Sequence, residues 1–331
     1  MKKIYKFGIS LFIGIAVLIA IYHYFSPVEL FKTLDIFSFK LLPAYVIVSF
    51  LIMCCLVLRW QNILKCLGQP VKFLKLFEYK LACYAFNYLT PTMHIGGEPI
   101  RAYLLKNHNV SMPKAASSVL LDDAIELSLD AVFGLLGFLI IMTNYAISGK
   151  ATALIIATLL VVIFILFRFF YLHLKGRGSI SSTMEFLRLH KLKSIQKIIE
   201  KIKVVESNTI FVLRWRRGPF LRSMFYGVVI WILMFFEYSF AMQIVGYTPN
   251  LMEIFLVLSF VAIAYIIPIP AAIGVLEAAQ ISVFMFLGID VTTAIALTLI
   301  IRARDLFWTL LGLFFIYRHS RGAFKAFFEE A

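Results

Sequence analysis

Six apolar stretches in this chain are long enough to cross a bilayer, and two more are broken near their middles by proline and glycine. A helix rising 1.5 Å per residue needs about 20 mostly apolar residues to span ~30 Å of hydrocarbon. The unbroken stretches are Phe7 to Phe25, Leu41 to Trp60, Pro113 to Tyr145, Ala151 to Leu172, Phe220 to Val245 and Val291 to Tyr317. Composition agrees. Of 331 residues, 62% are hydrophobic and 15% charged, with a mean hydropathy of +0.91. Soluble domains are nearer about 45–50% apolar and about 25% charged. The expected fold class is therefore an all-α polytopic membrane protein. A disordered chain, a secreted disulfide scaffold and an ordinary soluble enzyme are excluded.

The broken stretches run from Phe77 to Asn107 and from Leu251 to Leu287. Their interruptions read Thr90-Pro91-Thr92-Met93-His94-Ile95-Gly96-Gly97-Glu98-Pro99 and Pro268-Ile269-Pro270-Ala271-Ala272-Ile273-Gly274-Val275-Leu276-Glu277. Irregular backbone at membrane depth is tolerated only against protein or a watery cavity. Both stretches are expected to be re-entrant helical hairpins. The fold expectation is about six transmembrane helices plus two such hairpins.

Charge sets the orientation. The chain holds 32 Lys and Arg against 18 Asp and Glu, a net charge of +14. In a membrane protein that excess points to the positive-inside rule and anionic lipid heads rather than to nucleic acid. Twelve basic residues lie between Tyr171 and Arg222, and the N-terminus and the segment from Arg59 to Lys80 are also basic. The proposed outer loops carry only Lys32, Lys40 and Lys150. Both termini and the linker are thus expected in the cytoplasm, in a multi-pass protein of the cytoplasmic membrane. Each half then reads span, span, hairpin, long span, with opposite orientation. The expectation is one membrane domain over 1–331, with inverted repeats over 1–150 and 151–331 and a basic amphipathic linker over 173–218. Transporters with inverted repeats bind their substrate at the midplane between the repeats. Within the linker, Ser182-x-x-Glu185 reads as a capping box that starts a helix. That helix either lies on the anionic leaflet or is solvated.

Ionisable residues at membrane depth cost about 2.5–3.5 kcal/mol each on insertion scales, so each needs a reason. The first break carries His94, Glu98 and Arg101. Glu98 and Arg101, three apart, share a helix face, and a helix starting after Gly96-Gly97 would offer free amides to an anion. A capping role for Glu98 is the plainer alternative. In the long third span, Asp122, Glu126 and Asp130 recur every four residues, with Asp123 beside them. This stripe must face the bundle interior or water, and is expected to balance arginines or carry protons, unless it is a solvated face near the interface. The last span carries Arg302, Arg304 and Asp305, with Arg302 near mid-membrane. They are expected to pair with the Asp122 stripe or with Glu277. Any arginine left over suits a phosphate, which its planar fork binds at two oxygens.

Among the catalytic and nucleotide-binding motifs, no H-E-x-x-H, Walker A, dinucleotide glycine motif or G-x-S-x-G is present. Cys54, Cys55, Cys66 and Cys83 lack metal-ligand spacing, and no structural disulfide is expected; Cys54 and Cys55, neighbours inside an apolar run, are expected to act as small hydrophobes. No cofactor and no metal are expected.

The elements Gly96-Gly97-Glu98-Pro99-Ile100-Arg101 and Pro268 to Glu277 resemble motifs of the lysylphosphatidylglycerol synthase transmembrane family, also called the flippase-like domain family. The resemblance covers nearly the whole chain in motif order and span layout. It implies substrate-binding roles for Gly97, Glu98 and Arg101 in the first hairpin, Pro270, Gly274 and Glu277 in the second, and Arg302 in the last span. The chain departs from the family in three places. Ala271-Ala272 replace a Gly-Gly pair, Leu276 stands where Arg is common, and Asp122 is followed by Asp123 rather than Arg. In two-part members this region is thought to move an aminoacylated phospholipid across the bilayer, while a separate soluble domain transfers lysine from lysyl-tRNA. No such domain precedes Ala331, so the transfer is not expected of this chain. The expected function is translocation of an anionic or aminoacylated phospholipid, or of a lipid-linked head group. The expected partners are anionic membrane lipids, with a separate lipid-modifying transferase as a further candidate. His94, Arg304 and the seven residues above are the candidate binding set. Asp122, Asp123, Glu126, Asp130 and Asp305 are the candidate charge-coupling set. A transferase and a transporter of small solutes are the alternatives.

Overall fold

The computed structural model describes residues 37–90, 96–144, 149–187, 193–266 and 269–319. The first apolar stretch, His94 and Pro268 lie outside the described residues. Within them the chain is all helical, with no strand. The helices are α1 (Leu42–Cys66), α2 (Phe73–Leu89), α3 (Glu98–Leu104), α4 (Met112–Asn144), α5 (Gly149–Leu174), α6 (Ser179–Phe186), α7 (Lys193–Trp215), α8 (Arg217–Ile244), α9 (Leu251–Ile266), α10 (Val275–Phe286) and α11 (Val291–His319). Among the described residues, Phe39–Cys66 and Arg217–Ile244 are long and apolar enough to cross a membrane by length and composition. The protein is an all-α polytopic membrane protein.

Two compact units make up the fold, and both draw on both halves of the sequence. Unit 1 comprises 1–53, 77–101 and 232–331; unit 2 comprises 54–76 and 102–231.

In unit 1, α10 packs between α9 and α11. Helix α9 begins with a reciprocal cap: the Glu253 amide donates to Asn250 Oδ1 and the Asn250 amide to Glu253 Oε2, each at 2.9 Å. Helices α2 and α11 approach closely at Gly312, where a Cβ would collide with the Leu81 carbonyl oxygen. Trp308 seals the same helix against α1, donating from Nε1 to Ser49 Oγ at 3.1 Å, with Phe77 edge-on to its ring.

Unit 2 is built on α4. Its core joins Ile63 and Leu67 with Leu121, Ile125 and Leu129 of α4 and Val212 and Leu213 of α7. Phe133 and Trp231 stack at 4.6 Å beside it. The expected capping box in the linker is not what starts the helix there. Helix α6 begins at Ser179 after Gly178, and Ser182 lies inside it, its amide donating to the Gly178 carbonyl. The open amides of Ile180 and Ser181 are taken by the buried Glu206 carboxylate of α7, the first at 2.6 Å. A carboxylate from a second helix answers the N-terminal amides better than Glu185 does. Glu185 pairs with Lys203 on the surface.

Candidate functional site

The described residues flanking both helix breaks belong to unit 1, and a glutamate–arginine pair stands beside each. At the first, Gly97 brings the chain so close to α2 that a Cβ would collide with the Cys83 carbonyl oxygen. The Gly97 amide donates to Asn87 Oδ1 at 2.5 Å. That amide is therefore not open to an anion, contrary to the expectation for this helix start. Glu98 and Arg101 meet across one turn of α3 at 2.6 Å, as their spacing predicts. The Arg101 side chain is fully buried and that of Glu98 is 16% exposed. Asn87 Nδ2 and Cys83 Sγ, one turn apart on α2, both donate to the other Glu98 oxygen, Oε1, at 3.4 Å.

At the second break, Pro270–Ala272 form a single turn with Ala271 at φ 54° and Ala272 at φ 46°. Gly274 follows at φ 78° and opens α10. Left-handed backbone is costly for residues with a Cβ, which explains why the family pattern has glycines where this chain has Ala271 and Ala272. Arg302 holds the turn. Its Nη1 donates to the Ala271 carbonyl and to the Tyr88 hydroxyl, and its Nη2 donates to the Ala272 carbonyl. Nε and Nη2 also grip the two oxygens of Glu277 at 2.9 and 3.0 Å. All five N–H groups of Arg302 are thus engaged by protein acceptors. The expected Arg302–Glu277 pair is present, and its guanidinium is committed to the shape of the break.

Arg304 departs from expectation. It pairs with Glu237 of α8 at 2.6 Å and with its neighbour Asp305 at 2.8 Å, not with the Asp122 stripe. Asp305 also accepts from the Tyr84 hydroxyl at 2.8 Å. Tyr84 and Tyr88 stack one turn apart on α2, so one face of α2 serves Asp305 and Arg302 of α11, while Cys83 and Asn87 serve Glu98.

The Asp122 stripe lies in unit 2 and has its own arginine. Arg59 of α1, buried, donates from Nε to Asp122 Oδ1 at 2.7 Å and from Nη2 to Glu126 Oε2. Glu126 remains 45% exposed. Farther along α4, Asp130 accepts from Trp231 Nε1 at 3.1 Å. Asp123 is partly buried. The sequence reading missed Arg59, Glu237, Asn87, Tyr84 and Tyr88. Arg59 and Glu237 had one available signal: each is a charge at the edge of or inside an apolar stretch. Among the described residues, no group of His, Cys, Asp and Glu is placed to hold a metal.

Comparison with known proteins places the chain in a family. The model of the lysylphosphatidylglycerol synthase TM region matches residues 5–312. A UPF0104 membrane protein of Pyrococcus horikoshii is 27% identical over 287 residues, covering 81% of this chain and 85% of that protein. Another, of Methanothermobacter thermautotrophicus, is 23% identical over 323 residues, covering 92% of this chain and 93% of that protein. A third, of Methanocaldococcus jannaschii, is 32% identical over 138 residues, 40% of each chain. No solved structure matches significantly. With its family model covering nearly the whole length, the chain belongs to the lysylphosphatidylglycerol synthase TM region family.

Proposed function

We propose that this protein moves a lipid, or a lipid-linked molecule, with an anionic head group across the cytoplasmic membrane, and that the head group passes the two helix breaks of unit 1. The observation that carries the reading is the Glu98–Arg101 pair, its arginine fully buried, at the start of α3. Such a pair is weak evidence for stability, because desolvation offsets much of its Coulombic gain. Intramembrane charges of this kind mark substrate pathways.

The two breaks have different roles in this reading. Arg302 is a positioning residue, since its donors shape the Pro270–Ala272 turn and fix Glu277. Arg101 is the head-group ligand. A phosphate replaces Glu98 Oε2 at Arg101, while Oε1 stays with Asn87 and Cys83 on α2. The exchange changes the partner of one guanidinium and leaves Glu98 held through Oε1 by two neutral donors, so that its charge is balanced only by taking up a proton or by the return of Arg101. Arg304, Glu237 and Asp305 form a second charged layer, and the Asp122 stripe with Arg59 balances charge in unit 2. Each expected inverted repeat, 1–150 and 151–331, contributes one break to unit 1, and alternating access exposes these breaks to the two sides in turn. Pro270 and Gly274 serve the turn; Gly97 serves the close approach of the first break.

The test is native mass spectrometry of the protein purified in mild detergent, comparing wild type with Arg101→Gln and Arg302→Gln. The reading predicts a defined anionic lipid on wild type that Arg101→Gln loses. Only unselective lipid, unchanged by Arg101→Gln, contradicts it.

A further inference from the structure

Unit 2 carries a basic and aromatic patch that the charged pairs of unit 1 leave unused. It lies where α5 and α7 end. Arg214 lies against the turn after α5: a Cβ on Gly176 would stand 2.7 Å from its Nη1. That contact joins Tyr171 and Lys175 to Phe211, Arg214, Trp215 and Arg216. The three rings are exposed, Tyr171 by 49%, Phe211 by 42% and Trp215 by 72%. A cation sits by each ring: Lys175 over Tyr171 at 5.8 Å, Arg214 over Trp215 at 5.9 Å and Arg216 over Phe211 at 5.9 Å.

Three observations say what covers this face. First, α5 runs 26 residues and ends at Leu174, and the last turn of an apolar helix of spanning length falls where hydrocarbon gives way to water. Second, tyrosine and tryptophan with a wet edge and an apolar body settle at head-group depth, and arginine and lysine beside them reach phosphates. Third, the acidic residue that α7 brings nearby does not neutralise the patch. Glu206 is buried, with its oxygens on the amides of α6.

We propose that this patch docks the anionic phospholipid head groups of the leaflet it borders. Trp215 and Tyr171 sit at head-group depth, and Lys175, Arg214 and Arg216 meet phosphodiester oxygens. A positive-inside arrangement makes that leaflet the cytoplasmic one. The inference concerns a surface distinct from the helix breaks and holds whatever those breaks carry.

The test reconstitutes the full chain in nanodiscs of phosphatidylcholine with phosphatidylglycerol, one lipid at a time brominated near the head group. The Trp215 signal is the difference between wild type and Trp215→Phe. The proposal predicts stronger quenching by brominated phosphatidylglycerol than by brominated phosphatidylcholine. That preference is lost in the triple variant Lys175→Gln, Arg214→Gln, Arg216→Gln, and weakens in wild type as salt is raised. The salt series stands if the triple variant fails to fold. Equal quenching by both lipids overturns the proposal, as does an unquenched Trp215. Shielding of Trp215 by an added RNA oligonucleotide in purely zwitterionic discs, without lipid quenching, overturns it in favour of nucleic acid.

Discussion

Replacing alanine by glycine inside a helical protein ordinarily weakens it, yet at Ala271 and Ala272 the backbone argues the reverse. Both residues hold left-handed φ, at 54° and 46°. A residue with a Cβ in that region costs roughly 1–2 kcal/mol. Glycine relieves that cost but gives back about 0.5–1 kcal/mol through its freer unfolded chain. The net stabilisation is roughly 0–1.5 kcal/mol per site, and roughly 0–3 kcal/mol for the double variant. The carbonyls that Arg302 grips are unchanged by the substitution. Ala278, one turn into α10, is the control: its change to glycine destabilises by about 1 kcal/mol. Thermal unfolding in detergent, followed by the loss of monodisperse protein, reads the difference as a shift of a few degrees in opposite directions. A lowered midpoint for Ala271→Gly/Ala272→Gly, matching that of Ala278→Gly, would refute the left-handed geometry and the role of Arg302 in holding it.

The same contacts give three further outcomes. Gly97→Ala drives a Cβ into the α2 backbone, costing about 1–3 kcal/mol; thermal unfolding in detergent should show it, and the further change Cys83→Ala should not rescue it, because the clash is with backbone. Arg59→Gln leaves the buried Asp122 without its guanidinium and destabilises by about 3–5 kcal/mol, whereas Arg59→Leu with Asp122→Leu recovers most of that loss; unfolding midpoints of wild type and the two variants test the ordering. Glu206→Ala opens the first amides of α6, at about 0.5–2 kcal/mol, and hydrogen exchange at Ile180 and Ser181 should accelerate while α4 stays protected.

How far the sequence carries this account differs from residue to residue. The Glu98–Arg101 pair was legible because its spacing is local: residues three apart on one helix meet without any knowledge of packing. The Arg302–Glu277 pair was half legible: proline and glycine announce the break that holds Glu277, but the choice of Glu277 over the Asp122 stripe as the partner of Arg302 is made by packing. Arg59 was not, because beside a basic segment it reads as a topology signal. Its partner Asp122 is 63 residues away, and only the packing of α1 on α4 joins them. Glu237 and Tyr84 are hidden likewise, since a single polar residue in an apolar span names no partner. The capping of α6 by Glu206 was misread for a related reason. Ser182 and Glu185 match a local pattern, but a carboxylate 25 residues beyond Ser181 reaches the amides first. The left-handed turn at Ala271 and Ala272 is the reverse case: local composition spoke against it, and Arg302 supplies what the missing glycines do not.

The central claim is that Arg101 grips a lipid head group in transit. The most direct measurement is transbilayer movement of fluorescent anionic and zwitterionic phospholipids in reconstituted vesicles, comparing wild type, Arg101→Lys and Arg101→Gln, each folded as judged by size-exclusion profile. The account predicts movement of the anionic lipid by wild type, reduced movement by Arg101→Lys, which keeps the charge but not the planar fork, and none above protein-free vesicles by Arg101→Gln. Undiminished anionic lipid movement by folded Arg101→Gln would contradict it.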